Sequence, residues 1–353
     1  MDETRTGRAE GEPAEKGGPD GVDGLDDVDG VDGVDGPTEL PARSWRAILR
    51  RTVSEFQDDE LADRAAALTY YGVLSLFPAM LVMVSLLGVA GRQVTSELLD
   101  NIGQLAPGPA RDILRESVLQ LGETGGTGGV LAIAGLLLAL WSSSGYVAAF
   151  IRTSNHVYDL PEGRPVWKLT PLRLLLTVGL MLMLAVSAVI VVFTGPLAER
   201  AGTALGMGDA AVAMWSVVKW PVLVLLVMLV IALLFWAAPN VRGRGFRWVS
   251  PGSLVATLIW LCASGGFAVY AANFGSYNKT YGTLAGAIVF LVWLWISNLA
   301  ILLGLEFDAE LARELAITDG LPATQEPYVE PRDTRAWPPR LRASRRGGPL
   351  GRR

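Results

Sequence analysis

Three consecutive serines, Ser142, Ser143 and Ser144, stand in the middle of an apolar run, in Trp-Ser-Ser-Ser-Gly-Tyr. Ser75 and Pro78 interrupt a second run, in Leu-Ser-Leu-Phe-Pro, and Ser297 with Asn298 interrupts a third. Hydroxyls and amides far from water must find partners, so such residues either tie helices together or line a polar path. A serine can satisfy itself by donating to a carbonyl one turn back, which requires no function. Asn298 is costlier to bury and is the stronger pointer to a path. Pro78 removes a backbone hydrogen bond and predicts a kink. Tyr277 and Tyr281, in YNKTYGTLAG, read as headgroup-depth rings flanking a tight extracytoplasmic turn, with ligand contact on such a path as the alternative. Glu306 directly follows the third run, with Asp308 and Glu310 close behind. A carboxylate there either couples to ion or proton movement or is simply a solvated helix end, and the solvated end is the expectation. The candidate cavity or substrate-path residues are therefore Ser75, Pro78, Ser142, Ser143, Ser144, Tyr277, Tyr281, Asn298 and Glu306.

Other chemistries find little to work with. The one histidine, His156, has no Cys or His neighbours and makes a poor metal site. The one cysteine, Cys262, makes no intramolecular disulfide. There is no GxxxxGK[ST] phosphate loop and no GxSxG elbow. RNA hydrolysis would need metal-binding carboxylates and histidines, or an acid–base pair, in a water-filled site. No enzyme activity, no metal, no cofactor and no nucleic-acid partner is expected.

What must position these residues is a set of membrane helices. Residues 65–91, 124–151, 174–198, 220–241, 248–278 and 280–305 hold no Asp, Glu, Lys or Arg, against 18% charged residues in the whole chain. Each is long enough for the roughly 20 apolar residues that cross ~30 Å of hydrocarbon. The fold class read from this pattern is an all-α integral membrane protein with six transmembrane helices, at about 68–91, 130–151, 174–198, 217–239, 249–273 and 282–304. Trp45, Ile48, Leu49, Val53 and Phe56 recur at helical spacing among Arg46, Arg50 and Arg51, which predicts an amphipathic helix lying on the membrane surface before the first span. Lys219, beside Trp215 and Trp220, is expected to snorkel at the outer interface, with Pro221 near the start of its helix. Gly282 and Gly286 form a GxxxG pair, expected to let helices approach closely.

The chain divides into a disordered acidic tail, 1–40, built on a Val-Asp-Gly repeat; a membrane domain, 41–319; and a disordered Pro- and Arg-rich basic tail, 320–353. No signal peptide precedes the first span, which is expected to direct its own insertion. The loop 92–123 carries two amphipathic stretches that read as short outer helices. Near the span ends, segments 43–64, 152–173 and 242–247 carry twelve Lys and Arg; the opposite loops carry five, namely Arg92, Arg111, Arg115, Arg200 and Lys279. Positive charge marks the cytoplasmic side, so both termini are expected in the cytoplasm of a bacterial cell, with the chain in the inner membrane.

Three blocks, AAALTYYGVLSLFPAMLVMVSLLG at 65–88, APNVRGRGFRWVSPGSLVA at 238–256 and YGTLAGAIVFLVWLWISNLAILLGLEFDAEL at 281–311, resemble the YihY/virulence factor BrkB family, once labelled ribonuclease BN. The resemblance covers roughly residues 45–315. It implies a six-span inner-membrane protein with cytoplasmic termini, and it brings no catalytic residues. The positions matching its motifs are Ser75, Pro78, Pro239, Pro251, Gly252, Tyr281, Gly282 and Glu306. The functional expectation is a transporter or flippase-like protein for an envelope lipid or small solute. The alternative is a non-transporting structural or interaction protein of the envelope. Membrane lipids are the expected partners, with a homo-oligomer and an unidentified small-molecule or lipid substrate left open.

Overall fold

The computed structural model describes residues 40–90, 128–192, 198–199, 202, 208–242, 250–272 and 283–340. Within them the chain is helical: α1 Ala42–Asp58, α2 Leu61–Ala90, α3 Gly128–Val157, α4 Val166–Val192, α5 Asp209–Ala237, α6 Pro251–Ala272 and α7 Thr283–Thr318. Four helices among the described residues are long and apolar enough to cross a membrane, over Val166–Val191, Ala210–Ala237, Pro251–Tyr270 and Gly286–Thr318. Their outward surfaces carry large apolar side chains such as Leu175, Leu182, Val217, Trp220 and Val269, which is where a bilayer takes the place of a second protein layer. The short outer helices expected in 92–123 lie outside the described residues.

Each helix from α2 onward packs on its neighbour in sequence, and α7 closes the bundle by returning to α2. Two crossings are tight. A Cβ at Gly252 of α6 would stand 2.3 Å from the Gly304 carbonyl oxygen, and one at Gly304 would stand 2.4 Å from the Ala256 Cβ. Neither position can take a larger side chain without moving a backbone. Gly72 on α2 and Gly145 on α3 make gentler close approaches, to Leu294 and Tyr71 at 3.2 and 3.3 Å. Gly286, expected to be a packing glycine, has nothing within 4 Å of where its Cβ would be. It does no packing inside the described chain, and its partner Gly282 lies outside the described residues.

The sequence reading is corrected at two further helices. α5 begins at Asp209, so Pro221 falls in its interior rather than near its start. Lys219 is buried, with its ammonium 5.5 Å from the Trp220 ring centroid. α4 begins at Val166, which puts Arg173 inside a helix instead of at the end of a loop.

α7 has 36 residues, about 54 Å at 1.5 Å per residue, well over the ~30 Å of hydrocarbon. Its charged C-terminal part extends past the α6 start and carries α1. Ile48 is fully buried there, and Trp45 stacks on Phe307 at 6.3 Å between centroids. Arg51 forms ion pairs with Glu310 and with Glu314, the latter at 2.6 Å, and Arg313 reaches Glu55 at 3.4 Å. Leu49 and Val53, read as part of the same apolar face, remain exposed. The apolar residues of α1 thus divide between α7 and an open face.

Residues 321–340 depart from the expected disordered tail. They form a strap laid across the ends of α3 and α5. Val241 and Pro331 make an antiparallel bridge, Arg332 N–H donates to the Asn240 carbonyl at 2.9 Å, and Ala336 N–H donates to Gly163 at 2.9 Å. The strap holds because it buries two aromatic side chains, Tyr328 and Trp337, whose tips donate to the carbonyls of Val157 and Pro161 at 3.3 and 3.0 Å. Composition alone averages these two rings away against their Pro- and Arg-rich surroundings.

Candidate functional site

Asn298 is the centre of a polar seam where α2, α3 and α7 meet. It is 2% exposed and uses both ends of its amide. The Tyr146 hydroxyl of α3 donates to Asn298 Oδ1 at 2.9 Å, and Asn298 Nδ2 donates to Thr69 Oγ1 of α2 at 3.1 Å. Thr69 passes its own proton back to the Ala65 carbonyl at 2.8 Å. A four-member chain of donors and acceptors therefore links three helices inside an apolar core. Such bonds between membrane helices contribute modestly, on the order of 0.6 kcal/mol each. A buried amide left without partners would cost more, roughly 1–3 kcal/mol.

The other candidates separate clearly. Ser142 ties α3 to α2 separately, donating to the Leu74 carbonyl at 2.8 Å. Ser75 donates to Gly72 of its own helix at 2.6 Å. Ser144 donates to Trp141 of its own helix at 2.7 Å and also receives a hydrogen bond from the Arg173 guanidinium of α4 at 2.5 Å. Ser143 is partly buried on α3. Pro78 lies within α2; its side chain, with Tyr277 and Tyr281, is outside the described residues. Ser297 donates to the Trp293 carbonyl at 2.8 Å and accepts from Trp260 Nε1 at 3.1 Å, tying α7 to α6.

Glu306 overturns the reading of a solvated helix end. It is 1% exposed, and its Oε2 is buried with no hydrogen-bond partner. It lies two turns beyond Asn298, about 12 Å along α7. The same level is fixed by Asp308, whose Oδ1 accepts the Gly252 N–H at 2.6 Å and so caps the first turn of α6. α1 packs on this end of α7, and Tyr158 after α3 and Tyr328 of the strap share a core with Leu305 and Ala309 beside Glu306.

Those elements bring further acids. Asp59, just after α1, has its carboxyl pushed up to about 6 by burial, with the Glu55 and Asp58 charges adding and Arg64 opposing. Asp159, in the turn after α3, is likewise pushed up to about 6 by burial, then by the charges of Glu326, Asp59 and Glu55. Neither lies in a spanning segment. Glu162 goes the other way. Burial works against its charge, but the Arg164 guanidinium and backbone N–H bonded to it hold its carboxyl below the usual range. The same Arg164 donates to the carbonyls of Ala237 and Ala238 at 3.2 and 2.7 Å, closing the C-terminus of α5. Among the described residues no three of His, Cys, Asp and Glu are placed to hold a metal ion.

Thr69, Tyr146, Arg173, Asp59 and Asp159 were not singled out from sequence. Thr69 and Tyr146 look like ordinary members of apolar runs; only the helix pairing shows that both reach Asn298.

A family model described as Virulence factor BrkB matches residues 52–327. The ribonuclease-like protein YfkH of Bacillus subtilis (strain 168) is 30% identical over 276 residues, covering 78% of this chain and 99% of that protein. A UPF0761 membrane protein of Xanthomonas oryzae pv. oryzae (strain PXO99A) is 31% identical over 286 residues, covering 76% of this chain. Another from Xanthomonas axonopodis pv. citri (strain 306) is 30% identical over the same length. The chain spans 64% of the length of each of these two Xanthomonas proteins. No solved structure matches.

Proposed function

The chain belongs to the virulence factor BrkB family of bacterial membrane proteins, and from that premise we propose that it moves an envelope lipid or a small solute across the inner membrane. On this reading α2 to α7 are six spans. The end carrying α1 and the strap faces the cytoplasm, as the excess of Arg and Lys beside it favours. The exposed Leu49 and Val53 face of α1 then rests on the lipid surface.

The observation that supports transport is the seam of Thr69, Tyr146 and Asn298. Three helices meet there through side chains that could be re-paired with a passing polar group. A scaffold would be equally well served by apolar packing, which carries no desolvation cost. Serines that only bond back along their own helix, such as Ser75, carry no weight in this argument.

Reconstitution of the full chain into liposomes tests it. Two probes are followed: a headgroup-labelled phospholipid whose outer-leaflet copies are chemically bleached, and a set of entrapped small solutes. Transport predicts that at least one moves faster than in protein-free vesicles, and that Asn298→Leu slows it. Rates equal to protein-free vesicles for every probe would contradict the reading.

A further inference from the structure

One acid at the α1 end of the bundle is buried without a hydrogen-bond partner for one of its oxygens. Glu306 projects from α7. The charges that act on it most strongly are those of Asp59 after α1, Glu310 one turn along α7, Glu55 of α1 and Asp159 in the turn after α3. The nearby cations are committed elsewhere. Arg51 pairs with Glu310 and Glu314, Arg313 pairs with Glu55 and Glu310, and the Arg64 Nε donates to the Asp59 carbonyl at 2.8 Å. His156 Nε2 lies 3.5 Å from Asp59 Oδ1. The remaining polar neighbours are the phenols of Tyr158 and Tyr328, both buried. Tyr328 donates to Val157 and lies under Arg313, whose guanidinium carbon is 5.5 Å from the ring centroid. Glu306 Oε2 is thus out of water, without a hydrogen-bond donor, and among like charges.

An ionised carboxylate cannot persist in that setting without a cation. No described set of His, Cys, Asp and Glu suits a metal ion, and a proton neutralises the charge with no further ligand. We propose that the Glu306 carboxyl is a proton-binding site, filled from solution on the α1 side of the bundle and covered by residues 321–340. Uptake forms one O–H bond on the carboxylate as one O–H bond of a hydronium ion in bulk solution breaks, and the local negative charge falls by one. Tyr328 of the strap is buried nearby, and exchange of the proton is expected to require the strap or the α1 turn to part. The proposal rests on the transport reading only for its use, as a place where proton movement could be coupled to a substrate; the site itself stands without it.

Infrared difference spectroscopy of the full chain in lipid nanodiscs tests the site. Spectra of wild type and Glu306→Gln are compared at about pH 8, where Asp59 and Asp159, which release protons near 6, no longer contribute. The expected result is a deuterium-sensitive carboxylic-acid C=O band in wild type that falls by one carboxyl in Glu306→Gln. Bands of equal size in the two proteins, or none in either, would overturn the proposal. Should Glu306→Gln fail to fold, Glu306→Asp keeps an acid there and must shift the band; an unshifted band would overturn it equally. An intact Glu306 band in a chain that moves no probe would remove the transport reading and leave the site. Transport with no such band would do the reverse.

Discussion

At the scale of single residues, Asn298 explains itself once its partners are known. Its side chain spends one bond on Tyr146 and one on Thr69. Tyr146→Phe deletes one of these and should lower stability by about 0.6 kcal/mol, the usual size for membrane helices. Asn298→Leu leaves two hydroxyls to re-pair and should cost more, roughly 1–3 kcal/mol. A double-mutant cycle read by thermal unfolding in detergent should give less than the sum of the two, because they share a bond. Full additivity would mean the Tyr146–Asn298 bond does not form. Asn298 was legible in the sequence because an amide inside an apolar run must be paired. Its partners were not, because Thr and Tyr fit such runs without any partner. Glu306 was legible as a candidate but was misplaced in solvent. α1 and the strap pack at this end of α7; they arrive from about 250 residues before it and from the segment after it, and local sequence carries no trace of either contact.

Helix positions were largely readable from apolar length, and the strap was not. Composition sees Pro and Arg; the structure sees Tyr328 and Trp337 fixed in the core. Docking of α1 and the strap should depend on pH with a definite sign. Asp59 and Asp159 are raised from 3.8 to about 6 by burial. A raised acid favours the docked state while it is protonated, and that contribution fades as pH climbs through about 6. Glu162, held low by Arg164, contributes the opposite way: its share is present at neutral pH and lost only in strong acid. Amide exchange in 321–340, corrected for intrinsic rates, should therefore be slower at pH 5.5 than at pH 7.5. Equal protection, or better protection at pH 7.5, would contradict the placement of the two aspartates. A second element-level test concerns the crossing of α6 and α7. Gly304→Val would drive its side chain into Ala256 and the Gly252 carbonyl, and it should abolish the monodisperse folded protein. Gly286→Val, where nothing among the described residues stands within 4 Å, should leave the fold intact; loss of folding there would show a neighbour outside the described residues.

For the whole molecule, sequence spacing and fold agree on an all-helical membrane protein, with four candidate spans among the described residues; six spans with cytoplasmic termini are the proposal. The α2-to-α7 sequence closes on itself, with the described Arg- and Lys-bearing segments 43–64 and 152–173 at the end where α1 and the strap lie. Reporters fused before residue 40 and after residue 340 should both report the cytoplasm, since an even number of spans returns the chain to its starting side; reporters on opposite sides would remove the six-span arrangement. The account's central claim is that the polar seam does more than hold three helices together. Complementation of a deletion strain tests this most directly, with envelope permeability as the readout and membrane levels checked by immunoblot. The allele to compare with wild type combines Ser142, Ser143 and Ser144 changed to Ala with Asn298→Leu. The account predicts normal membrane levels and lost function. Full complementation by that allele would contradict it.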